Sequence, residues 1–294
     1  MAKIGLIQVD NKMDGDMEAR QNALIDLGTK CLEEGADLVF FPEAFQYVKH
    51  REIVQNKDQL RKVETAWQER CATLARKYHA YVVPWDYHVD ENGAVYNSSY
   101  ILNREGHFVG RYCKCNLTFG EMKKNLTRGM DYPVFDLDIG RVGMIICFDN
   151  YFPEAAASLG NKGAQLVLYP LYGDTLKPQW EMKLRTRAID HSLYMASCQL
   201  DPKWDIAYTG IVDPEGNVIA RLDAINTYTV VDADLGKAVW SNTSANPPYG
   251  EDLREYLHKC RNYRSYGALT TEGTAPKEWQ EIFYTERLYQ EEKS

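Results

Sequence analysis

Apolar positions along the chain fall into two rhythms, and the switch between them lays out the expected elements. Residues 4–9 (IGLIQV) form an apolar run short enough for a buried strand, and residues 17–34 bring Ala23, Leu24, Leu27, Cys31 and Leu32 onto one helical face before Gly35 stops the helix. A second short apolar strand covers 37–41 and is ended by Pro42, which cannot donate to a ladder. A long helix follows at about 58–78, where Leu60, Val63, Trp67, Cys71, Leu74 and Tyr78 recur every three or four residues. Residues 80–85 read as one further strand. Between 93 and 112 the pattern becomes antiparallel: AVYNSSYILN and HFVGRYC flank Arg104-Glu105-Gly106, a hairpin connection with glycine where positive φ is needed.

The stretch RVGMIICFDNYFPE, residues 141–154, is an apolar strand, a sharp turn at Asp149-Asn150, and a helix opened by Pro153 in its first turn. Alternation then repeats: helix 153–159, strand 165–170, helix 178–191 and strand 193–200, followed by a hairpin between 207–212 and 217–222 over Asp213-Pro214-Glu215-Gly216. Helices alternating with strands, interrupted by hairpins, predict mixed sheets layered with helices. Regular alternation fades from about Gly236, and residues 270–294 are polar with Trp279, Phe283, Tyr284 and Tyr289 scattered among them at a spacing near three to five. One domain of residues 1–269 and a tail of 270–294 is the expected division, the tail either fraying or docking on a neighbour as an interface arm.

Composition narrows the functional class. Of 294 residues, 45% are hydrophobic and 26% charged, enough for a sizeable core without metals or disulfides. A net charge of -8 with no basic stripe argues against nucleic acid as a partner. No apolar run approaches a membrane span and the N-terminus lacks signal-peptide design, so a cytoplasmic protein with no membrane partner is expected. Seven cysteines, an odd number at irregular spacing, fit reduced thiols.

Chemistry concentrates at strand ends, which in α/β sheets converge on one rim where ligands bind. Three residues stand there: Glu43 after VFFP, Lys114 after GRYC, and Cys147. A cysteine at that position presents its sulfur at the rim, with the N–H of Phe148 able to face an oxyanion. A carboxylate can take the thiol proton and a lysine can offset the charge of a tetrahedral intermediate. Taken singly, each has a structural alternative: a small buried hydrophobe, a helix cap and an edge-strand charge.

Together, FPEAF, RYCKCNL and GMIICFDNYFPE resemble, in order, the three motifs of the nitrilase superfamily, the carbon-nitrogen hydrolases; the likeness runs from KIGLIQVD to RNYRSYGAL, about residues 3–269. The resemblance implies an α/β fold, a four-layer αββα sandwich of two mixed sheets flanked by helices. It implies Glu43 as general base and acid, Lys114 as oxyanion stabiliser, Cys147 as nucleophile, and Glu121 as a second glutamate positioning substrate and lysine. It implies a homodimer or higher homo-oligomer joined across a helical face, and neither cofactor nor metal. Phe148-Asp149 after the cysteine is similar to the amidase branch rather than to nitrilases. Asn150 and Tyr151, where carbamoyl-amino-acid hydrolases present arginines, weaken but leave open that alternative.

The expected activity is a thiol amidohydrolase acting on a small linear amide through a thioester. An N-carbamoyl amine or amino-acid hydrolase, a nitrilase, a Cys-His hydrolase using one of six histidines, and a binding or scaffold protein on the same fold remain open. Pocket walls are expected from Tyr47, Trp85, Tyr172 and Asp174, which follow other strand ends. Cys113 and Cys115 are expected to share the face opposite Lys114 and to pack. Asp86, His88 and Asp90 alternate and read as a solvated edge.

Overall fold

The structure, a computed structural model, describes residues 1–48, 50–173, 179–200, 209–237, 239 and 253–271. Residues 1–254 form one compact unit and the chain from Glu255 onward a second. The first unit holds two mixed sheets. One contains β1 (Ala2–Gln8), β2 (Leu38–Phe40), β3 (Tyr81–Val83), β4 (Trp85–Val89), β5 (Val95–Leu102), β6 (Phe108–Cys113) and β13 (Thr227–Ala233) in the order β13-β1-β2-β3-β5-β4, with β6 also pairing β5. The other runs β12 (Val218–Leu222), β11 (Thr209–Val212), β10 (Tyr194–Cys198), β9 (Leu166–Pro170), β8 (Gly140–Met144), β7 (Val134–Leu137). Helices α1 (Met17–Glu33) and α2 (Lys57–Tyr78) pack on the first sheet, and α4 (Pro153–Asn161) and α5 (Gln179–His191) flank the second; a short α3 (Phe119–Lys123) follows β6. The second unit carries most of α6 (Leu253–Cys260), then a 3₁₀ turn Tyr263–Tyr266 and α7 (Gly267–Thr270).

This is the αββα sandwich, and the strand sequences explain it. In β9, Leu166 and Leu168 belong to the core shared between the sheets, whereas Val167 and Tyr169 belong to the cluster under α4 and α5 with Leu159, Trp180 and Leu184. Successive strand residues face opposite sides, so a strand covered on both faces must be apolar throughout. The sheets are also pinned by polar contacts: Thr209 Oγ1 donates to Gln8 Oε1 at 2.7 Å and the Cys198 thiol to the Ile7 carbonyl at 2.8 Å.

Both hairpins form. Gly106 holds φ +76° in the first, where a Cβ would meet the Ala72 carbonyl at 2.6 Å. In the second, Asp213 Oδ1 accepts from the N–H groups of Glu215 and Asn217. Three expectations change. Residues 80–85 are two strands, because Pro84 has no N–H and the chain switches partners there, from β3 to β4. Asp86 is fully buried rather than solvated, since α2 covers β4; Tyr47 donates to its Oδ1 at 2.5 Å. His88 meets Glu64 of α2 at 2.7 Å. The strand carrying Cys113 ends there, so its alternation does not extend to Cys115, whose thiol turns to the Asp131 carbonyl. No described helix is long and apolar enough to cross a membrane. The tail aromatics Trp279, Phe283, Tyr284 and Tyr289 lie outside the described residues.

Candidate active site

Each of the three rim residues follows a strand end, and each is held there by local backbone chemistry. Glu43 comes three residues after β2, just before Ala44, which takes a left-handed φ of 62° and starts the 3₁₀ turn Phe45–Tyr47. Lys114 comes directly after β6; its N–H donates to the Asn97 carbonyl at 2.8 Å and its carbonyl accepts from Gly129 at 2.9 Å. A side chain at Gly129 would strike the Cys113 carbonyl at 1.9 Å, so only glycine lets that segment close over the lysine. Cys147 opens a 3₁₀ turn, Cys147–Tyr151, with φ 45°. A non-glycine residue held at positive φ is uncommon, and here it turns the sulfur out of the strand at a half-buried position touching both hydrophobic clusters.

These side chains meet although they are far apart in sequence. Lys114 Nζ lies 3.2 Å from Glu43 Oε1 and 2.9 and 3.0 Å from the two Glu121 oxygens. The charge of Glu43 acts on the Cys147 thiol, and Glu43 Oε2 accepts the Tyr172 N–H at 2.9 Å. Glu121 caps its own helix: Thr118 and Glu121 form a reciprocal capping box at the start of α3. Lys114 is 1% exposed and Glu43 5%. At that depth neither charge would persist alone, and their mutual pairing is what allows it.

The proton distribution follows from these contacts. Burial alone would lower the Lys114 pKa, but the charges of Glu43, Cys147, Glu121 and Asp149 outweigh it and hold the ammonium protonated. Burial would raise Glu121; Lys114 and the hydrogen bonds from Thr118 and Asn97 overcome it and hold the carboxyl below its usual range. Burial, then the charge of Glu43, pushes the Cys147 thiol well above the ordinary cysteine value against the pull of Lys114. The resting sulfur is therefore a neutral thiol beside an acceptor, not a thiolate. Among the described residues, the charges acting most strongly on it are those of Glu43, Lys114 and Glu121.

Phe148 follows the cysteine in the first turn of the 3₁₀ segment, half-buried, its ring against Tyr151 and Phe152. Leading N–H groups of such a turn have no partner within it and can face an anion. Tyr172 borders the site through its N–H, while its hydroxyl meets Asn11. Tyr47 and Trp85 are 0% and 1% exposed and stand behind the carboxylates, their polar tips turned to Asp86 and Asn97. Asp174 lies outside the described residues.

Two contributors escaped the sequence reading. Asn97, inside β5, donates to Glu43 at 2.7 Å and to Glu121 at 2.6 Å. Asp149, read as turn chemistry and as a mark of the amidase branch but not as a clasp, accepts from Ile146 N–H, the Tyr112 hydroxyl, and both the backbone and side-chain nitrogens of Asn116, tying the cysteine turn to the segment after Lys114. The available signal was polarity inside otherwise apolar runs. Among the described residues, no group of three or more His, Cys, Asp or Glu is arranged to hold a metal ion.

The carbon-nitrogen hydrolase family model matches residues 3–243. Omega-amidase NIT2 of Mus musculus is 27% identical over 252 residues, covering 80% of this chain and 89% of the relative. Deaminated glutathione amidase of Mus musculus is 30% identical over 211 residues, 64% of each. Among solved structures, an amidase from Nesterenkonia sp. AN1, in which acrylamide has added to the active-site cysteine, superposes with a TM-score of 0.70 at 22% identity, over 80% of this chain and 94% of that one. At that identity the likeness speaks to the fold.

Proposed function

The chain belongs to the carbon-nitrogen hydrolase family and is a hydrolase of carbon–nitrogen bonds other than peptide bonds, and from that premise we propose that Glu43, Lys114, Glu121 and Cys147 carry the reaction on a small linear amide. Glu43 accepts the thiol proton as the sulfur attacks the carbonyl carbon. Lys114 and the Phe148 N–H offset the charge on the oxygen, and Glu121 keeps the lysine aimed. Glu43 then gives its proton to the departing ammonia or amine, leaving a thioester on Cys147. A water, deprotonated by Glu43, attacks the thioester; the acid leaves and the sulfur regains its proton. Every step is carried by side chains, backbone and water.

The observation that carries this reading is one carboxylate acting on both thiol and ammonium: Glu43 lies 3.2 Å from Lys114, and its charge raises the Cys147 thiol pKa. The relatives named omega-amidase and deaminated glutathione amidase support an amide substrate. The test is ammonia release from small aliphatic amides, with N-carbamoyl amines and nitriles in parallel, and rapid-quench mass spectrometry of the protein. An acyl adduct at Cys147 formed from amides supports the reading; turnover without an adduct, or of nitriles alone, overturns it.

For the whole molecule we propose a cytoplasmic homodimer in which residues 1–269 form the hydrolase domain and residues 270–294 reach a partner subunit. Light scattering on the full chain and on one ending at Thr270 tests this. A monomeric full chain removes the assembly, and an unchanged dimer after truncation removes the tail from it.

A further inference from the structure

Two carboxylates share one cation in this site, and a single buried amide reaches both of them. Glu43 receives Lys114 and Asn97 on Oε1 and the Tyr172 N–H on Oε2. Glu121 receives Lys114 and Asn97 on Oε1, and Lys114 with the Thr118 N–H and hydroxyl on Oε2. Asp149 adds a further negative charge acting on Lys114 from the cysteine turn. Asn97 is the group common to both carboxylates.

Its orientation is fixed from behind. Trp85 Nε1, a donor only, gives its hydrogen to Asn97 Oδ1 at 2.6 Å, so the amide nitrogen must face the site. Turned the other way, the amide would set its oxygen against two carboxylates and its nitrogen against the indole N–H. Both hydrogens of the nitrogen are therefore committed, one to each glutamate, and the Asn97 backbone carbonyl holds the Lys114 N–H as well. At 2% exposure no solvent competes for them.

We propose that Asn97, oriented by Trp85, is a positioning residue that holds Glu43 and Glu121 simultaneously ionised, so that the thiol proton of Cys147 has Glu43 as its acceptor. Without that amide, two buried carboxylates divide one ammonium, and the cheaper state puts a proton on one of them. Lowering of the Glu121 carboxyl by Asn97, after Lys114 and Thr118, agrees with this.

This inference rests on Glu43 being the base, and the test separates the two. The rate at which iodoacetamide alkylates Cys147, read by peptide mass spectrometry, is followed against pH for the wild type, Asn97→Leu, Trp85→Phe and Glu43→Gln. Loss of a hydrogen bond to a charged group predicts that Asn97→Leu moves the acidic limb up by about one to two pH units, so that the reaction is about ten- to a hundredfold slower at pH values below the wild-type limb. Trp85→Phe should move it the same way by less, and it decides the matter if Asn97→Leu does not fold. A merely structural asparagine would lower the folded fraction or the whole curve without moving the limb. A limb that stays put in both variants, or in Trp85→Phe where that is the only folded one, overturns the proposal. If Glu43→Gln leaves the wild-type limb intact, the base assignment itself fails and this proposal with it; if that limb vanishes while the other two variants are unshifted, only the role of Asn97 fails.

Discussion

The two halves of the site are built on opposite principles. The half on the first sheet, Glu43, Asn97, Lys114 and Glu121, is assembled from distant points of the chain and held by charge-assisted hydrogen bonds in a nearly dry interior. The half on the second sheet, Cys147 and its turn, is one local segment whose geometry is a backbone matter: a positive φ, a 3₁₀ turn and a proline-started helix, fastened by Asp149. In the first half, chemistry and folding depend on the same charges. In the second, the reacting atom can be removed without touching what shapes the turn.

The sharpest test of that separation is Cys147→Ala. Alanine keeps the Cβ at the same φ and deletes one sulfur, so turnover should fall by more than about 10⁴-fold while stability changes by no more than about 1 kcal/mol. Amide turnover and urea unfolding, measured on the same preparation, check it; an unfolded variant would mean that the sulfur is structural. The first half should behave in the opposite way. Lys114→Met leaves Glu43 and Glu121 facing each other without a cation, and stability should drop by about 3–5 kcal/mol along with activity. A fully stable Lys114→Met protein would break the comparison.

Between these lies Asp149, the clasp joining the halves. Asp149→Ala orphans the Ile146 and Asn116 N–H groups and the Tyr112 hydroxyl, so a loss of about 2–4 kcal/mol is expected, with turnover falling even at temperatures where the variant remains folded. Thermal unfolding and activity at low temperature read the two effects separately.

The same contrast decides what could be read from the sequence. The second half was legible because it is local: apolar strand, Cys147, Asp149-Asn150 and Pro153 stand in order within one segment, and each has a short-range signature. Glu43 and Lys114 were legible as strand-end residues, though their 3.2 Å approach was not, since pairing across 71 positions is set by sheet order. Asn97 was hidden because it lies inside β5, where its polarity looked like ordinary alternation; its role comes from the register that sets β5 between β4 and β6 and brings it level with Lys114. Strands β7 and β13 were missed for a related reason: they are half-buried edges, stabilised by their neighbours rather than by a strong apolar pattern of their own. Asp86 was misread because period-two alternation marks a shared face but not whether a helix covers it.

Asp86 also supplies the subtlest expected effect, one belonging to the charge-built half. It is fully buried beside Trp85, accepts from the Tyr47 hydroxyl and the Tyr87 N–H on one oxygen, and has no partner among the described residues on the other. Burial pushes its carboxyl up to about 8, with the Glu64 charge adding to the rise while Tyr47 and Arg111 oppose it. The folded protein therefore keeps a proton that the unfolded chain releases near pH 4. Because the folded pKa is the higher one, the stability that this proton contributes is complete below the unfolded value and is lost as pH climbs toward about 8. Asp86→Asn has nothing to release, so unfolding free energies of variant and wild type should diverge between pH 5 and 8 in favour of the variant. The slope should approach about 1.4 kcal/mol per pH unit and flatten above the folded pKa. Urea titrations at three or four pH values measure the gap. A gap that does not change with pH would mean that Asp86 is ionised in the fold, balanced by Arg111, and that the polar layer behind Trp85 is charged rather than neutral.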